Sequence, residues 1–235
     1  MGLILNIETG TDVCSVALAR DGKLLSLRES LEGRDHAKRL AVFADEILRE
    51  SGTGADELSA VAVSKGPGSY TGLRIGISFA KGLCYGLGIP LLGIGSLSSM
   101  VEILREEYSA GIVDVDNASN AVLCPMIDAR RMEVYTQLLG WDGHPLCDVH
   151  AEILTENSFK EYLGGENEFL IFGNGAKKAQ EILPGAKYIE LTPSARGMVR
   201  LSEEAFQKKQ FEDTAYFEPF YLKDFIITTK KKKLF

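Results

Sequence analysis

The residues from Gly66 to Gly76, GPGSYTGLRIG, place four glycines and a proline between an apolar run and a segment of helical length. A loop in that position can present backbone amides to a phosphate at a helix N-terminus. The spacing of Gly66, Gly68, Gly72 and Gly76 fits neither G-x-x-x-x-G-K-[ST] nor G-x-G-x-x-G, so both specific nucleotide templates are excluded. Two readings remain open. Amides could hold an anion with help from Ser69, Thr71 and Arg74, or the glycines could serve only a tight turn.

A second candidate lies in NIETGTDVCSV, where Glu8, Gly10, Thr11 and Asp12 have the makings of a phosphate-clasping hairpin. An acid after the first strand would hold a metal through water, and Gly and Thr amides and hydroxyls would meet the phosphate. The same residues also make an ordinary polar turn. His144, Cys147 and His150 put three soft-metal ligands within seven residues, but one Cys and two His at this spacing match no structural-zinc pattern, and no metal site is assigned. His36 lacks a second His four residues on, so H-E-x-x-H is absent. No Ser-His-Asp or Cys-His set can be placed, and no catalytic residue is assigned.

These residues need elements to position them. LILNI, CSVALAR and LLSLRES, separated by Thr9–Asp12 and Asp21-Gly22, form a three-stranded meander. Helical spacing from Asp35 to Glu50 is followed by the strand LSAVAVSK, the glycine-rich loop, a helix over Leu73–Leu87 and the strand IPLLGI. This β–α–β order implies a parallel portion of sheet and α/β architecture. Ser96 is expected to cap a further helix. The polar stretch from Tyr108 to Asn120 divides a lobe at 1–108 from a second at 109–235. The second half carries AVLCPMI, an acidic turn, MEVYTQLL, mixed helices and FLIFGNGA, which suggests a weak internal duplication.

The helix after the glycine-rich loop lacks a polar face. Leu73, Ile77, Ala80, Cys84 and Leu87 make one apolar stripe, and Ile75, Phe79, Gly82 and Gly86, flanked by Ser78 and Tyr85, make another opposite it. Such a helix is covered on both sides, and Ser78, Gly82 and Gly86 would admit a second helix closely. The Asp35–Glu50 helix has a broad apolar arc that includes Leu40 and Ala44. The expected partner interface is therefore Leu40, Ala44, Ser69, Tyr70, Thr71, Arg74, Ile75, Ser78, Phe79, Gly82 and Gly86. Without a partner, a homodimer through this face is expected.

The chain has 235 residues, 26 basic and 33 acidic, for a net charge of -7. That balance disfavours a broad nucleic-acid face, and Lys230–Lys233 reads as a solvated tail. With no basic leader, no apolar run of membrane-spanning length and four scattered cysteines, a cytoplasmic protein with reduced thiols is expected.

ILNIETGTDVCSVAL, HAKRL, GPGSYTGLRIGISFAKGL, DARRMEVY, FGNGA and EPFYLKDF together resemble the bacterial TsaB, or YeaZ, family. The resemblance implies the two-lobed fold of actin, Hsp70 and the acetate and sugar kinases (ASKHA, ribonuclease H-like), with mixed sheets. It implies a role in forming threonylcarbamoyladenosine beside the tRNA anticodon. It further implies a non-catalytic subunit that pairs with a TsaD-like transferase through first-lobe helices and is joined by a TsaE-like ATPase. ATP, metal and tRNA would be handled through the complex, with no cofactor of the chain's own. Glu8 stands where the family commonly has Asp, which weakens the rival reading of an ATP-dependent phosphotransferase using Glu8 and Gly173–Gly175.

Overall fold

A computed structural model describes residues 2–33, 35–165 and 167–223. The meander is present as β1 (Leu3–Glu8), β2 (Cys14–Arg20) and β3 (Lys23–Ser30), joined by antiparallel pairing. The strands β4 (Ala60–Gly66) and β5 (Leu91–Gly95) add in parallel to give the order β3-β2-β1-β4-β5. The crossovers are α1 (His36–Glu50) and α2 (Tyr70–Leu87).

Alternation along the strands decides which layer each side chain joins. Leu3, Leu5, Ile7, Val61 and Val63 point to one side, where they share a core with Leu40, Phe43 and Ile47 of α1 and Ile77, Ala80 and Cys84 of α2. Ile4, Ala60, Ala62, Leu92 and Ile94 point to the other. A sheet covered on both faces has continuous rather than alternating hydrophobicity, which is what LILNI and AVAV display.

The second sheet uses β6 (Val122–Asp128), β7 (Glu133–Thr136), β9 (His150–Ile153), β10 (Phe169–Phe172) and β11 (Lys187–Ile189), with the two-residue β8 (Leu139–Gly140) also pairing to β6 and the short α4 (Ala176–Gln180) between β10 and β11. Its order, β9-β7-β6-β10-β11, repeats that of the first sheet strand for strand, with the same parallel and antiparallel senses. The duplication is thus explicit in topology although faint in residues. Two such lobes are the ASKHA-like α/β fold.

Several expectations need correction. The stretch between Leu139 and Phe169, which the sequence pattern assigns to mixed helices, holds among its described residues the end of β8, β9 and turns and no α-helix. Ser96 is the first residue of α3 (Ser96–Ser109) rather than its cap, which is Gly95, and its hydroxyl makes no hydrogen bond among the described residues. The lobe assigned to 109–235 does not keep its own C-terminus. A 3-10 turn at Ala195–Met198 and α5 (Val199–Gln207) return to the first sheet, where Met198, Leu201 and Phe206 cover Ile4, Ala62 and Leu92. In exchange, α3 sends Leu97, Met100, Val101 and Leu104 onto Leu123, Leu170 and Phe172 of the second sheet. Where these segments cross, a Cβ on Gly197 would lie closer than 3.0 Å to the Ser99 carbonyl, so only glycine permits the contact. Arg196 pairs there with Glu106 and Glu107, and Arg200 with Glu102.

Candidate docking face

The glycine-rich loop and the Glu8 hairpin prove to be two halves of one packed unit. Ser69 caps α2, accepting from the Gly72 amide at 3.3 Å, while its own amide donates to the Gly10 carbonyl at 2.6 Å. A Cβ on Gly68, Gly72 or Gly76 would come within 3.0 Å of the Gly10 carbonyl, the Thr9 carbonyl or the Thr9 hydroxyl respectively. These three glycines exist so that the Thr9–Gly10 turn can lie directly on α2. The His36 side chain, buried at the start of α1, fixes the turn from the other side. Its Nε2 lies 3.0 Å and 3.1 Å from the carbonyls of Thr11 and Val13, so Nε2 carries the proton.

Glu8 is fully buried. Its Oε1 accepts from the Gly10 amide at 2.6 Å, and Oε2 has no hydrogen-bond partner among the described residues. Burial pushes its carboxyl above the usual range, against the opposing pull of bonds from Gly10, Ser64 and Thr9. Gly10 and Thr11 are also buried, leaving Asp12 exposed. The Gly10 amide, which a bound phosphate would require, is occupied here by the chain's own Glu8 carboxyl.

The second lobe closes its equivalent turn likewise. Asp128 accepts from the Arg130 amide at 2.6 Å and from Lys178 at 2.7 Å, and its own amide donates to Asn174 at 3.2 Å. A Cβ on Gly173 would meet the Met126 carbonyl at 2.6 Å. His150 Nδ1 lies 2.9 Å from the Asp148 carbonyl and 3.9 Å from Cys147 Sγ, and no trio of metal-ligating side chains is gathered among the described residues. Cavities of about 440 Å³, beside Asn120, Trp141 and Asn167, and about 410 Å³, beside Glu102, Arg105 and Arg200, include no residue of the hairpin or of α2.

The outer side of α2 is a different kind of surface. Gly72, Leu73, Gly76, Ile77, Ala80 and Cys84 face inward, whereas Thr71, Arg74, Ser78, Gly82, Tyr85 and Gly86 are exposed, Tyr85 by 88%. Tyr70, Ile75 and Phe79 are half-buried along its edges. Among the described residues, nothing would lie within 4 Å of a Cβ on Gly82 or Gly86, so no contact among them asks for glycine there. Ser69 also stands exposed at the end of this face.

Leu40 and Ala44 do not belong to it. They are 2% and 5% exposed because they share the inward stripe of α1 with Phe43 and Ile47. The exposed apolar positions of α1 are Ala37, Ala41 and Val42. The Lys230–Lys233 tail lies outside the described residues.

Sequence periodicity gave no element to the segment after α5, yet it lies against α2. The Glu212 amide donates to the Leu91 carbonyl at 2.9 Å, and the Phe217 side chain packs against the first core. Lys81 of α2 donates to the carbonyls of Ala215 and Phe217 at 2.9 Å and 3.2 Å, and the Phe220 amide to Lys65 at 2.7 Å. Lys223 pairs with Glu133 of the second lobe. The closely spaced aromatics Phe217, Phe220 and Tyr221 were the available signal; without helical or strand period they could not be placed.

A family model described as TsaD: tRNA N6-adenosine threonylcarbamoyltransferase matches residues 30–231. The tRNA threonylcarbamoyladenosine biosynthesis protein TsaB of Escherichia coli (strain K12) is 30% identical over 234 residues, 94% of each chain. The chain belongs to the TsaB family. The TsaB of Haemophilus influenzae is 39% identical over 132 residues, 56% of this chain and about half, 51%, of that protein's length. A solved YeaZ from Pseudomonas aeruginosa superposes with a TM-score of 0.79 at 24% identity, covering 94% of this chain and 100% of that one, which places both in one fold. The family-model match over residues 30–231 takes in the glycine-rich loop and α2, which carry the candidate docking face.

Proposed function

We propose that this TsaB-family chain is a non-catalytic subunit of the machinery that forms threonylcarbamoyladenosine on tRNA, docking a TsaD-like transferase through the outer face of α2. The observation that carries the reading is the pair Gly82 and Gly86. Glycine within a helix costs about 1 kcal/mol relative to alanine, and here no contact among the described residues requires it. Exposed small residues beside Ser78, edged by the half-buried Tyr70, Ile75 and Phe79, suit close approach of a second helix. Ala37 and Ala41 of α1 extend the same kind of surface.

The transferase chemistry, its nucleotide and its metal would then reside in the partner, with a TsaE-like ATPase completing the assembly. The phosphotransferase alternative gains no support from Glu8, whose carboxylate already holds the Gly10 amide. Reconstitution tests the proposal: tRNA modification by the transferase and its ATPase, assayed with and without this chain, should depend on it. Modification at the same rate without the chain would refute the role. Tight Mg-ATP binding by the isolated chain, lost in Glu8→Ala, would favour the phosphotransferase instead.

A further inference from the structure

Arg74 stands one turn before Ser78 and two before Gly82, on the line a helix packed against α2 would follow. Its side chain is held from beneath and from one side. The Tyr70 ring lies under the guanidinium, 4.3 Å from centroid to Cζ, and Nε donates to the Tyr221 hydroxyl at 3.0 Å. The two tyrosine rings pack at 4.8 Å with a 32° tilt. Tyr221 is itself fixed, because the Phe220 amide donates to the Lys65 carbonyl and Lys81 holds the Ala215 and Phe217 carbonyls. Nη1 and Nη2 make no hydrogen bond among the described residues, and Glu218 contributes charge attraction without an ion pair.

A guanidinium oriented in this way presents a planar fork whose ordering cost has been met before binding. We propose that Tyr221 is a positioning residue for Arg74, and that Arg74 so held accepts, as a two-toothed clamp, a carboxylate carried by the partner helix that packs on α2. The proposal rests on the reading of this face as the transferase-docking surface. A carboxylate suits better than a nucleic-acid phosphate, since the chain carries a charge of -7 and Arg74 shares its stripe with the helix-packing residues. Charge also argues for a partner other than a second copy. The α2 sequence, YTGLRIGISFAKGLCYGL, contains no Asp or Glu, so α2 docked on another α2 would offer Arg74 and Lys81 no carboxylate from that helix.

Calorimetric titration of the full chain with its transferase partner tests this, using Arg74→Ala, Arg74→Lys, Tyr221→Phe, the double variant Arg74→Ala/Tyr221→Phe, and Gly82→Glu as a control. Arg74→Ala and Arg74→Lys are expected to weaken pairing at least tenfold, the lysine because it keeps charge but not the fork. Tyr221→Phe should weaken it three- to tenfold, and the double variant should bind no more weakly than Arg74→Ala alone. Thermal midpoints should match wild type, because both side chains lie outside the cores, and self-association measured by sedimentation should be unchanged in Arg74→Ala. Any one of three results would overturn the inference: wild-type affinity in Tyr221→Phe, full affinity in Arg74→Lys, or equal loss of self-association in Arg74→Ala. Wild-type affinity in Gly82→Glu would instead refute the docking reading itself. With Gly82→Glu inactive and Tyr221→Phe unaltered, the inference fails while the docking reading stands.

Discussion

Replacing Gly82 and Gly86 together by alanine should make the free protein more stable and its partnership weaker. Each glycine lies within α2, and a Cβ at either would meet nothing within 4 Å. The helix-propensity gain is about 1 kcal/mol at Gly82 and less at Gly86, which sits near the left-handed Gly88 that ends the helix, so the sum is roughly 1–2 kcal/mol. For a chain of this size, 1 kcal/mol moves the midpoint by about 2–4 °C, giving an increase of about 2–8 °C. On the other side of the helix the added methyl groups would force an interface apart, and overpacking of this kind costs about 1–3 kcal/mol, roughly five- to 150-fold in affinity. Urea unfolding at protein concentrations below self-association gives the first quantity, and titration with the transferase gives the second. Unchanged or reduced stability would refute the argument that these glycines lack an internal role. Increased stability with unchanged affinity would refute close approach of a partner helix.

Gly72→Ala in the same helix is expected to behave oppositely, losing about 1–3 kcal/mol in urea unfolding because the new methyl meets the Thr9 carbonyl. Glu8 should make the protein less stable as pH rises. Its folded-state pKa is raised above the ordinary 4.5, so above that pH the folded state retains a proton that the unfolded state has lost. Glu8→Gln removes this dependence, and its stability relative to wild type, followed by urea unfolding from pH 4 to pH 8, should improve as pH increases; a flat difference would contradict the buried-carboxyl assignment. Thiol titration of the native protein should find one fast-reacting cysteine, Cys147, which is half-exposed, because burial pushes Cys14 and Cys124 up to about 12 and Cys84 up to about 11.

Local pattern carried most of the first lobe. The meander, α1, α2 and the parallel strands are visible in LILNI, AVAV and the 3.6-residue spacing because a sheet covered on both faces leaves an unbroken apolar signature. The inward side of α2 was also legible in Leu73, Ile77, Ala80 and Cys84, but Ile75 and Phe79, placed by the same spacing in an opposite stripe, pack half-buried against that core; on α1, Leu40 and Ala44 lie within one wide arc, and only the position of the sheet decides which part of that arc is inside. The role of Gly68, Gly72 and Gly76 depends on a turn some sixty residues earlier, which no local reading reveals. The exchange of α3 and α5 between lobes and the course of Phe211–Tyr221 are tertiary facts of the same kind. Glu8 looked like a metal-orienting acid in sequence, and its extra reach instead returns the carboxylate to its own loop.

The docking claim is tested most directly by sedimentation velocity of the transferase mixed with wild-type chain or with Gly82→Glu, whose Cβ would project from the outer face with no described residue within 4 Å. The account predicts a heteromeric boundary with the wild-type chain and separate boundaries with Gly82→Glu, the variant chain keeping its wild-type melting midpoint. A heteromeric boundary of equal size and affinity in both mixtures would contradict it.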